Sequence, residues 1–500
     1  MDVVSNLLLG LSVAVSVQNL WWCLVGCFLG TAIGVLPGLG PAATIAMLLP
    51  ATIGLPPLSA LIMLAGIFYG AQYGGSTTAI LVNLPGEMSS VVTAIDGHQM
   101  ARQGKAGRAL AIAAMASFFA GSVCTLLIAM FAPPLAAVAL QFGPAEYFSL
   151  MVLGLVASIV LANGSILHAL GMIVLGLLLG LIGTDVNSGA QRYTFGLPEL
   201  ADGIGFVIVA MGMFGVGEII ANLETGNRGH KTVMGISRLL PTGDDLRRMI
   251  APTLRGTALG SALGILPGGG ATLASFSAYA LEKKVSRNRH EFGNGAVEGV
   301  AAPESANNAG AQMSFIPMLT LGIPANPVMA LMIGAMIVQG IQPGPSVITE
   351  QPTLFWGLIA SMWVGNLMLL VLNLPLIGFW VKLISVPYKY LYPMILAFCA
   401  IGVYSLSNTT FDVFLMVLFG GLGYVFKKLD CEPAPMLLGY ILGPMMEEYL
   451  RRTLLIAKGD PQVLITRPIS ATLLALAVIL LGVVLLPSLR ASREAAFKDG

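Results

Sequence analysis

Charge is what this chain has least of. Only 10% of its 500 residues are Asp, Glu, Lys or Arg, against 56% hydrophobic, and its mean hydropathy is +0.86. A soluble domain carries about 25% charged residues, so this chain has too little polar surface to cover itself in water and reads as an integral membrane protein. The net charge of +1 offers no field that would draw nucleic acid or an acidic partner. Cysteine is sparse: Cys23, Cys27, Cys124, Cys399 and Cys431 form no CxxC pair and no Cys/His cluster, which excludes a disulfide framework and a zinc-type site. Cys23 and Cys27 share a helix face and read as small apolar residues. His98, His168, His230 and His290 are scattered and read as loop or packing residues. No GxSxG, HExxH or Walker motif is present, so neither hydrolysis nor ATP binding is indicated. No enzyme activity and no cofactor is expected, and uphill work would need an ion gradient or another subunit. The start, Met1-Asp-Val-Val-Ser-Asn, lacks the basic region of a cleavable signal, so the first apolar segment is expected to remain.

What the chain does have is a repeat. Gly30-Thr-Ala-Ile-Gly34-Val-Leu-Pro37-Gly38-Leu-Gly40 recurs as Gly260-Ser-Ala-Leu-Gly264-Ile-Leu-Pro267-Gly268-Gly269-Gly270, identical at seven of eleven positions. Each copy sets a Pro-Gly-x-Gly break inside an apolar helical run. Paired interruptions of this kind in the two halves of a membrane protein point to a transport site. The outer glycines, Gly30, Gly34, Gly260 and Gly264, read as close-packing positions. The tips read as site-forming.

Spans follow from apolar runs of about 20 residues. The first repeat, 1–225, holds a hairpin at 19–56, a broken segment at 57–84 and crossings near 109–131, 145–162, 166–183 and 203–221. A cytoplasmic linker occupies 226–250. The second repeat, 251–450, holds a hairpin at 251–283, a broken segment at 297–324 and crossings near 353–381, 390–407, 411–427 and 433–449. An extra span at 468–489 and a tail complete 451–500. Measured from Pro252, the arms of the second hairpin reach ~20–22 Å, short of the ~30 Å hydrocarbon core. Both of its bases are basic (Arg247, Arg248 and Arg255; Lys283, Lys284, Arg287 and Arg289), which places them on the cytoplasmic side and makes the hairpin re-entrant. Five crossings between the hairpins put the first on the opposite side, where the stretch between Asp2 and Glu87 carries no charge. The expected fold is an all-α polytopic membrane protein with an inverted repeat, each half having about five spans plus a re-entrant Pro-Gly hairpin. Arg451, Arg452, Lys458 and Arg467 fall outside on this count, against the positive-inside rule; either the rule is broken once or a span near 433–449 is miscounted.

Each hairpin is followed by an apolar segment studded with small polar residues. The first contains Gln72, Gly74, Gly75, Ser76, Thr77, Thr78 and Asn83, and the second Glu304, Ser305, Asn307, Asn308 and Gln312. Glycine pairs and Asn runs are poor mid-helix choices, so both segments are expected to unwind and line a cavity. Unwound carbonyls and hydroxyls suit a small cation. The helix starts at Pro41 and Ala271 offer unpaired N–H groups to an anion, with hydroxyls from Thr44 and Thr272. The predicted substrate-binding set is Pro37, Gly38, Gly40, Thr44, Ser76, Thr77, Thr78, Asn83, Pro267, Gly268, Gly269, Gly270, Thr272, Ser305, Asn307 and Asn308. Ion coupling is assigned to Glu304, an intramembrane carboxylate, with Gly74, Gly75 and Asn307. Glu87 is read as interfacial. No Lys or Arg lies deep in a core span, so a bound anion would be met by helix ends, hydroxyls and co-bound cations.

Gly34-Val-Leu-Pro-Gly-Leu-Gly-Pro41, Tyr73-Gly-Gly-Ser-Thr-Thr78, Asn83-Leu-Pro-Gly86, Gly264-Ile-Leu-Pro-Gly-Gly-Gly270 and Ala302-Pro-Glu-Ser-Ala-Asn-Asn308 together resemble the large membrane subunit of the tripartite tricarboxylate transporters, over nearly the whole chain. The resemblance implies a bacterial inner-membrane subunit working with a small four-helix membrane subunit and a periplasmic solute-binding protein, taking up carboxylates such as citrate with Na⁺ or H⁺. At fold level, the paired hairpins also resemble elevator-type carriers. Rival readings are a stand-alone carboxylate carrier, a passive channel, an intramembrane enzyme using Glu304 or Ser305, and a structural assembly subunit. Trp21, Trp22, Trp356, Trp363 and Trp380 are placed to line lipid or subunit contacts, as in a homodimer.

Overall fold

Proline and glycine, rather than charge, set where the helices start and stop. The computed structural model describes residues 3–36, 39–161, 165–185, 187–224, 239–266, 270–384, 386 and 388–485. The first half contains α1 (Val3–Ala14), α2 (Val17–Gly34), α3 (Pro41–Leu48), α4 (Pro57–Val82), α5 (Val91–Met100), α6 (Ala106–Ala139), α7 (Pro144–Leu161) and α8 (Ile166–Gly180). A two-strand ribbon, β1 (Gly183–Thr184) against β2 (Gln191–Arg192), is antiparallel. Then come α9 (Phe206–Ala210) and α10 (Gly217–Glu224), joined by a π-helical segment. The second half contains α11 (Gly243–Gly264), α12 (Gly270–Val285), α13 (Glu298–Met313), α14 (Phe315–Leu321), α15 (Pro327–Val338), α16 (Ser346–Glu350), α17 (Pro352–Asn373), α18 (Ile377–Ile384), α19 (Tyr388–Ser407), α20 (Thr410–Lys428) and α21 (Pro433–Ile456). Short α22 (Val463–Thr466) precedes α23 (Pro468–Leu485). Pro at the first helical turn of α3, α4, α15, α17 and α21 fits its preset φ and missing N–H.

Among the described residues, six helical stretches are long and apolar enough to cross a membrane: Val17–Gly34, Pro57–Val82, Met88–Ala139, Phe206–Glu224, Pro352–Asn373 and Thr410–Lys428. The protein is an all-α polytopic membrane protein. Helix α4 is enclosed on every face, with each residue from Ser59 to Val82 buried. Phe68, Tyr69, Phe315, Phe355 and Trp356 fill the adjoining core.

One local arrangement occurs twice. Gly30 and Gly34 on α2 face the backbone of Ile67 and Ala71 on α4, so closely that a Cβ on Gly34 would lie 2.5 Å from the Ala71 Cα. Gly260 and Gly264 on α11 face Ala306 and Gly310 on α13 in the same way, with 2.6 Å from a Gly264 Cβ to the Gly310 Cα. Helix α4 ends on Asn83 in the left-handed conformation (φ 56°), and α14 ends on Gly322 (φ 70°). Each left-handed residue is followed two positions on by a proline, Pro85 or Pro324. Glu87 and Asn326 then open the next helical turns as N-caps.

Four expectations change. The segments around Gly74–Thr78 and Pro303–Asn308 are not unwound: α4 and α13 run through them without a break. Thr77 and Thr78 donate their hydroxyls back to the carbonyls of Tyr73 and Gly75, at 3.0 and 2.9 Å, so hydroxyls that could compete with the helix support it instead. The breaks fall later, at Asn83–Gly86 and after α13. Second, α11 begins at Gly243 rather than Pro252, because Thr242 and Asp245 form a capping box that starts the helix two turns earlier; the short-arm length measured from Pro252 does not hold for this arm. Third, α1, α5 and α15 are separate helices that apolar-run counting did not resolve. Fourth, the crossing expected near 353–381 divides into α17 and α18, and the last one of the second repeat extends to Ile456.

Candidate functional site

Glu304, Asn307 and Asn308 stand three and four residues apart, which places them on one face of α13. All three are buried. Glu304 Oε1 accepts hydrogen bonds from Ser76 Oγ on α4 at 2.8 Å and from Thr93 Oγ1 on α5 at 2.6 Å. Its Oε2 accepts from Ser117 Oγ on α6 at 3.3 Å. Asn308 Nδ2 donates to Ser117 Oγ at 2.6 Å and to the Glu304 carbonyl at 3.1 Å. Asn307 Nδ2 donates to Glu87 Oε1 at 3.0 Å, and Asn307 Oδ1 accepts from Gln72 Nε2 at 3.3 Å. One buried carboxylate of the second half is thus held by hydroxyls from three helices of the first. Among the described residues, no Lys, Arg or His forms an ion pair with Glu304 or Glu87. A buried carboxylate without a cationic partner needs hydrogen bonds, a proton or a bound cation to persist.

Beside Glu304 lies a small recess of about 20 Å3, room for about one water-sized group. Tyr73, Ser76, Thr77, Leu110, Glu304 and Asn373 contribute to its wall.

The other predicted residues divide by place. Ser305 donates to the Ala302 carbonyl at 3.0 Å and packs against Gly256 of α11. Gly74 gives α4 its close approach to α2: a Cβ there would meet Gly34 C and Val35 N at 2.6 Å. Gly75 lies against Gly86, and that loop touches the hairpin, with Gly40 within 3.6 Å of the Gly86 carbonyl when a Cβ is built on it. Gly40 caps α3, and Thr44 donates to the Gly40 carbonyl at 3.0 Å. Gly270 opens α12, and Thr272 is half-buried in its first turn. Asn83 is exposed and serves as the left-handed cap of α4. Pro37, Gly38, Pro267, Gly268 and Gly269 lie outside the described residues, as does most of the 226–250 linker. Glu87, read as interfacial, is instead drawn to Asn307 and opens the turn before α5.

Sequence reasoning missed Thr93, Ser117, Asp96 and Asn373. The Asp96 carboxylate is fully buried. Its Oδ1 accepts from the backbone N–H groups of Gly293, Gly295 and Ala296 at 2.8, 2.9 and 2.9 Å, and its Oδ2 accepts from the Tyr279 hydroxyl at 2.9 Å. It ties α5 to the loop that leads into α13. Thr93 and Asp96, three apart on α5, gave the local signal: two polar residues on one face of the helix.

Much of the remaining charge among the described residues is paired. Arg248 bridges Glu298 and Glu291 at 2.7 and 2.5 Å, and Arg255 on α11 bridges Glu282 on α12 at 2.7 Å. The arginines that fall outside on the expected span count are paired: Arg451 with Asp185 and Glu447, Arg452 with Glu448, and Arg467 with Glu146. Asp185 is held down to about 2 by the Ser188 hydroxyl and the Asn187 amide, assisted by Arg451 and Arg192.

Comparison with known proteins agrees with this architecture. Residues 20–438 match the family model described as the tripartite tricarboxylate transporter TctA family. A relative from Agrobacterium vitis, "Uncharacterized 52.8 kDa protein in TAR-I ttuC' 3'region", is 59% identical over 499 residues, covering 100% of this chain and 99% of its own length. A second from the same organism, "Uncharacterized protein in TAR-II ttuC' 3'region", is 60% identical over 240 residues, which is 48% of this chain and 99% of that protein. No solved structure matches. The chain therefore belongs to the tripartite tricarboxylate transporter TctA family and is a multi-pass membrane subunit of that transport system.

Proposed function

We propose that this chain forms the translocation pathway of a cation-coupled, binding-protein-dependent importer of carboxylates in the bacterial inner membrane. It would act with a small four-helix membrane subunit and a periplasmic solute-binding protein. The observation that carries this reading is the Glu304 cradle: a buried carboxylate held by Ser76, Thr93 and Ser117 from the other half of the chain, with no basic partner among the described residues. Such a group titrates or binds a cation as the surrounding helices shift, and so links an ion gradient to movement. The substrate, a tricarboxylate such as citrate or a related di- or monocarboxylate, is placed between the two Pro-Gly tips. There the N-termini of α3 and α12 offer N–H groups and dipole to the anion. Pro37, Gly38, Gly40, Thr44, Pro267, Gly268, Gly269, Gly270 and Thr272 would contribute at the tips. Ser76, Thr77, Thr78, Asn83, Ser305, Asn307 and Asn308 would contribute from the helices behind, and Gly74, Gly75 and Asn307 would flank the ion.

The twofold recurrence of glycine packing, left-handed caps and N-caps supports an inverted repeat, and with it an elevator-type movement of the hairpin core. The exposed apolar helix faces leave room for a homodimer. The test is uptake of radiolabelled citrate into proteoliposomes holding the three components under an imposed Na⁺ or H⁺ gradient. Accumulation above equilibrium that vanishes when the gradient is collapsed is expected. Asn308→Ala should abolish uptake while leaving membrane insertion intact. Equal uptake with and without a gradient would favour a passive pore and reject coupling.

A further inference from the structure

Asn373 ends α17 with its side chain buried, 5% exposed. Its Nδ2 donates to the Leu369 carbonyl at 2.9 Å, but its Oδ1 has no partner. The next residues are fixed by Trp380, whose Nε1 donates to the Leu372 carbonyl at 2.9 Å, so the amide cannot swing out to water without disturbing this turn. Asn373 lines the same recess as Glu304, Ser76 and Thr77. A buried carbonyl oxygen left without a donor costs about 1–3 kcal/mol, and native interiors retain such groups mainly where something else completes them.

The carboxylate opposite is also incomplete. Glu304 Oε2 accepts one hydrogen bond, at 3.3 Å, and a carboxylate oxygen offers two lone-pair directions. The recess thus presents one negative charge, an orphan amide oxygen and hydroxyl oxygens, with aliphatic walls elsewhere. Oxygen donors alone exclude a soft transition metal. A single carboxylate balances one positive charge and falls short of what a dehydrated divalent ion requires.

We propose that this recess is a binding site for a small alkali cation of the Na⁺ class, held between Glu304 on α13 and the Asn373 amide oxygen on α17. The inference rests on the coupling role given above to Glu304 and names the ion and the second helix that holds it. Because Asn373 lies outside the hairpins and their partner helices, the cation joins the Glu304 core to the rest of the protein. Its departure removes one of the links between them.

The test uses the purified full chain in lipid nanodiscs, without substrate or partner subunits. Binding of ²²Na⁺ and the thermal unfolding midpoint are followed against NaCl, with KCl and choline chloride at matched ionic strength. Saturable binding, and a rise in the midpoint with Na⁺ alone, are expected. Asn373→Leu should weaken Na⁺ binding about tenfold or more, the equivalent of one lost charge-assisted contact. Asn373→Asp, which restores an oxygen and adds charge, should bind at least as tightly as the wild type, and Glu304→Gln should not bind. Absence of Na⁺-specific binding in the wild type would mean that water completes the recess and would overturn the proposal. So would unchanged affinity in Asn373→Leu or, should that variant not fold, loss of Na⁺ binding in Asn373→Asp. Intact Na⁺ binding combined with no carboxylate uptake would instead sink the transport reading and leave this site standing.

Discussion

Asp96→Asn tests how the Glu304 cradle is held in place. Three backbone amides converge on Asp96 Oδ1 and the Tyr279 hydroxyl on Oδ2. An Asn side chain retains the shape and one oxygen, so Oδ1 can still face the amides, while the new NH2 faces Tyr279, whose oxygen can accept. What disappears is the charge. Hydrogen bonds to a charged acceptor contribute about 1.5–3 kcal/mol against about 0.5–1.5 for a neutral one. For three bonds sharing one oxygen, and so not additive, the loss comes to about 2–3 kcal/mol. Asp96→Ala removes the acceptor from all four donors, of which the Ala296 N–H is fully buried and the others half-buried, and should cost more than Asp96→Asn, about 3–4 kcal/mol. Tyr279→Phe removes a single bond and should cost about 1–2 kcal/mol. The assay is reversible unfolding in mixed micelles, read by tryptophan fluorescence. Because Thr93 sits one turn before Asp96 and donates to Glu304, uptake should fall with stability, least in Tyr279→Phe, further in Asp96→Asn and most in Asp96→Ala. An Asp96→Asn variant within about 0.5 kcal/mol of wild type, the scatter of ordinary surface substitutions, would refute the reasoning. It would mean that the 293–296 loop finds other acceptors and that Asp96 is not its anchor.

The remaining predictions concern packing and the charged ends. Gly30→Ala drives a Cβ into the Ile67 carbonyl, where backbone meets backbone and neither can rotate away; a loss of about 1–3 kcal/mol is expected in the same unfolding assay. Gly171→Ala on α8 meets nothing within 4 Å and should be neutral or gain up to about 1 kcal/mol from helix propensity; equal losses at both sites would contradict the close-packing account. Asp185 has a folded-state value near 2, below the ordinary value of 3.8, so its contribution is present above pH ~4 and fades as pH falls toward 2. The thermal midpoint gap between wild type and Asp185→Asn should therefore be constant from neutral pH to about 4 and close below it; a gap that widens on acidification would reverse the sign of this argument. Arg248→Lys keeps the charge but loses the fork that spans Glu298 and Glu291, and should lower the thermal midpoint more than Arg452→Lys, whose pair with Glu448 is exposed.

The membrane class and the helix starts were legible because they depend on composition and on local breaks. Pro at helix starts and twenty-residue apolar runs act through the backbone of their own segment, so they can be read without knowing what packs nearby. The unwinding expected at Gly74–Thr78 and Pro303–Asn308 failed for the opposite reason. Glycine lowers helix propensity in isolation, but here Gly74 is required by the approach of α2, and tertiary packing overrides propensity. Thr93, Ser117 and Asp96 were invisible because nothing in their own helices sets them apart from the other polar residues there. Their meaning comes from Glu304 or from the 293–296 loop, about two hundred residues away in sequence. Glu87 was misplaced because a loop carboxylate reads as interfacial until Asn307 is brought to it.

The duplicated frame and the chemistry follow different rules. Ile67, Ala71 and Asn83 on the first side have the same spacing as Ala306, Gly310 and Gly322 on the second, and each trio has the same backbone role. On that register Glu304, Asn307 and Asn308 correspond to Ala65, Phe68 and Tyr69. The helices match as scaffolds while their polar faces do not. The first half instead supplies its polar groups from Gln72 and Ser76, further along α4, and from Thr93 and Ser117 on the next two helices. A symmetric site would place two carboxylates in contact without a counter-charge, which is costly at membrane depth. Placing Glu304 on α13 and answering it with neutral hydroxyls keeps one carboxylate in the hydroxyl cradle, with Glu87 held apart on Asn307. The charge of Glu304 can then be balanced by one cation, and the empty state of the cradle differs from the filled one by a single unit of charge. That is the condition a coupling group must meet, and it fits a repeat read from glycines with the proposed coupling carboxylate in one half alone.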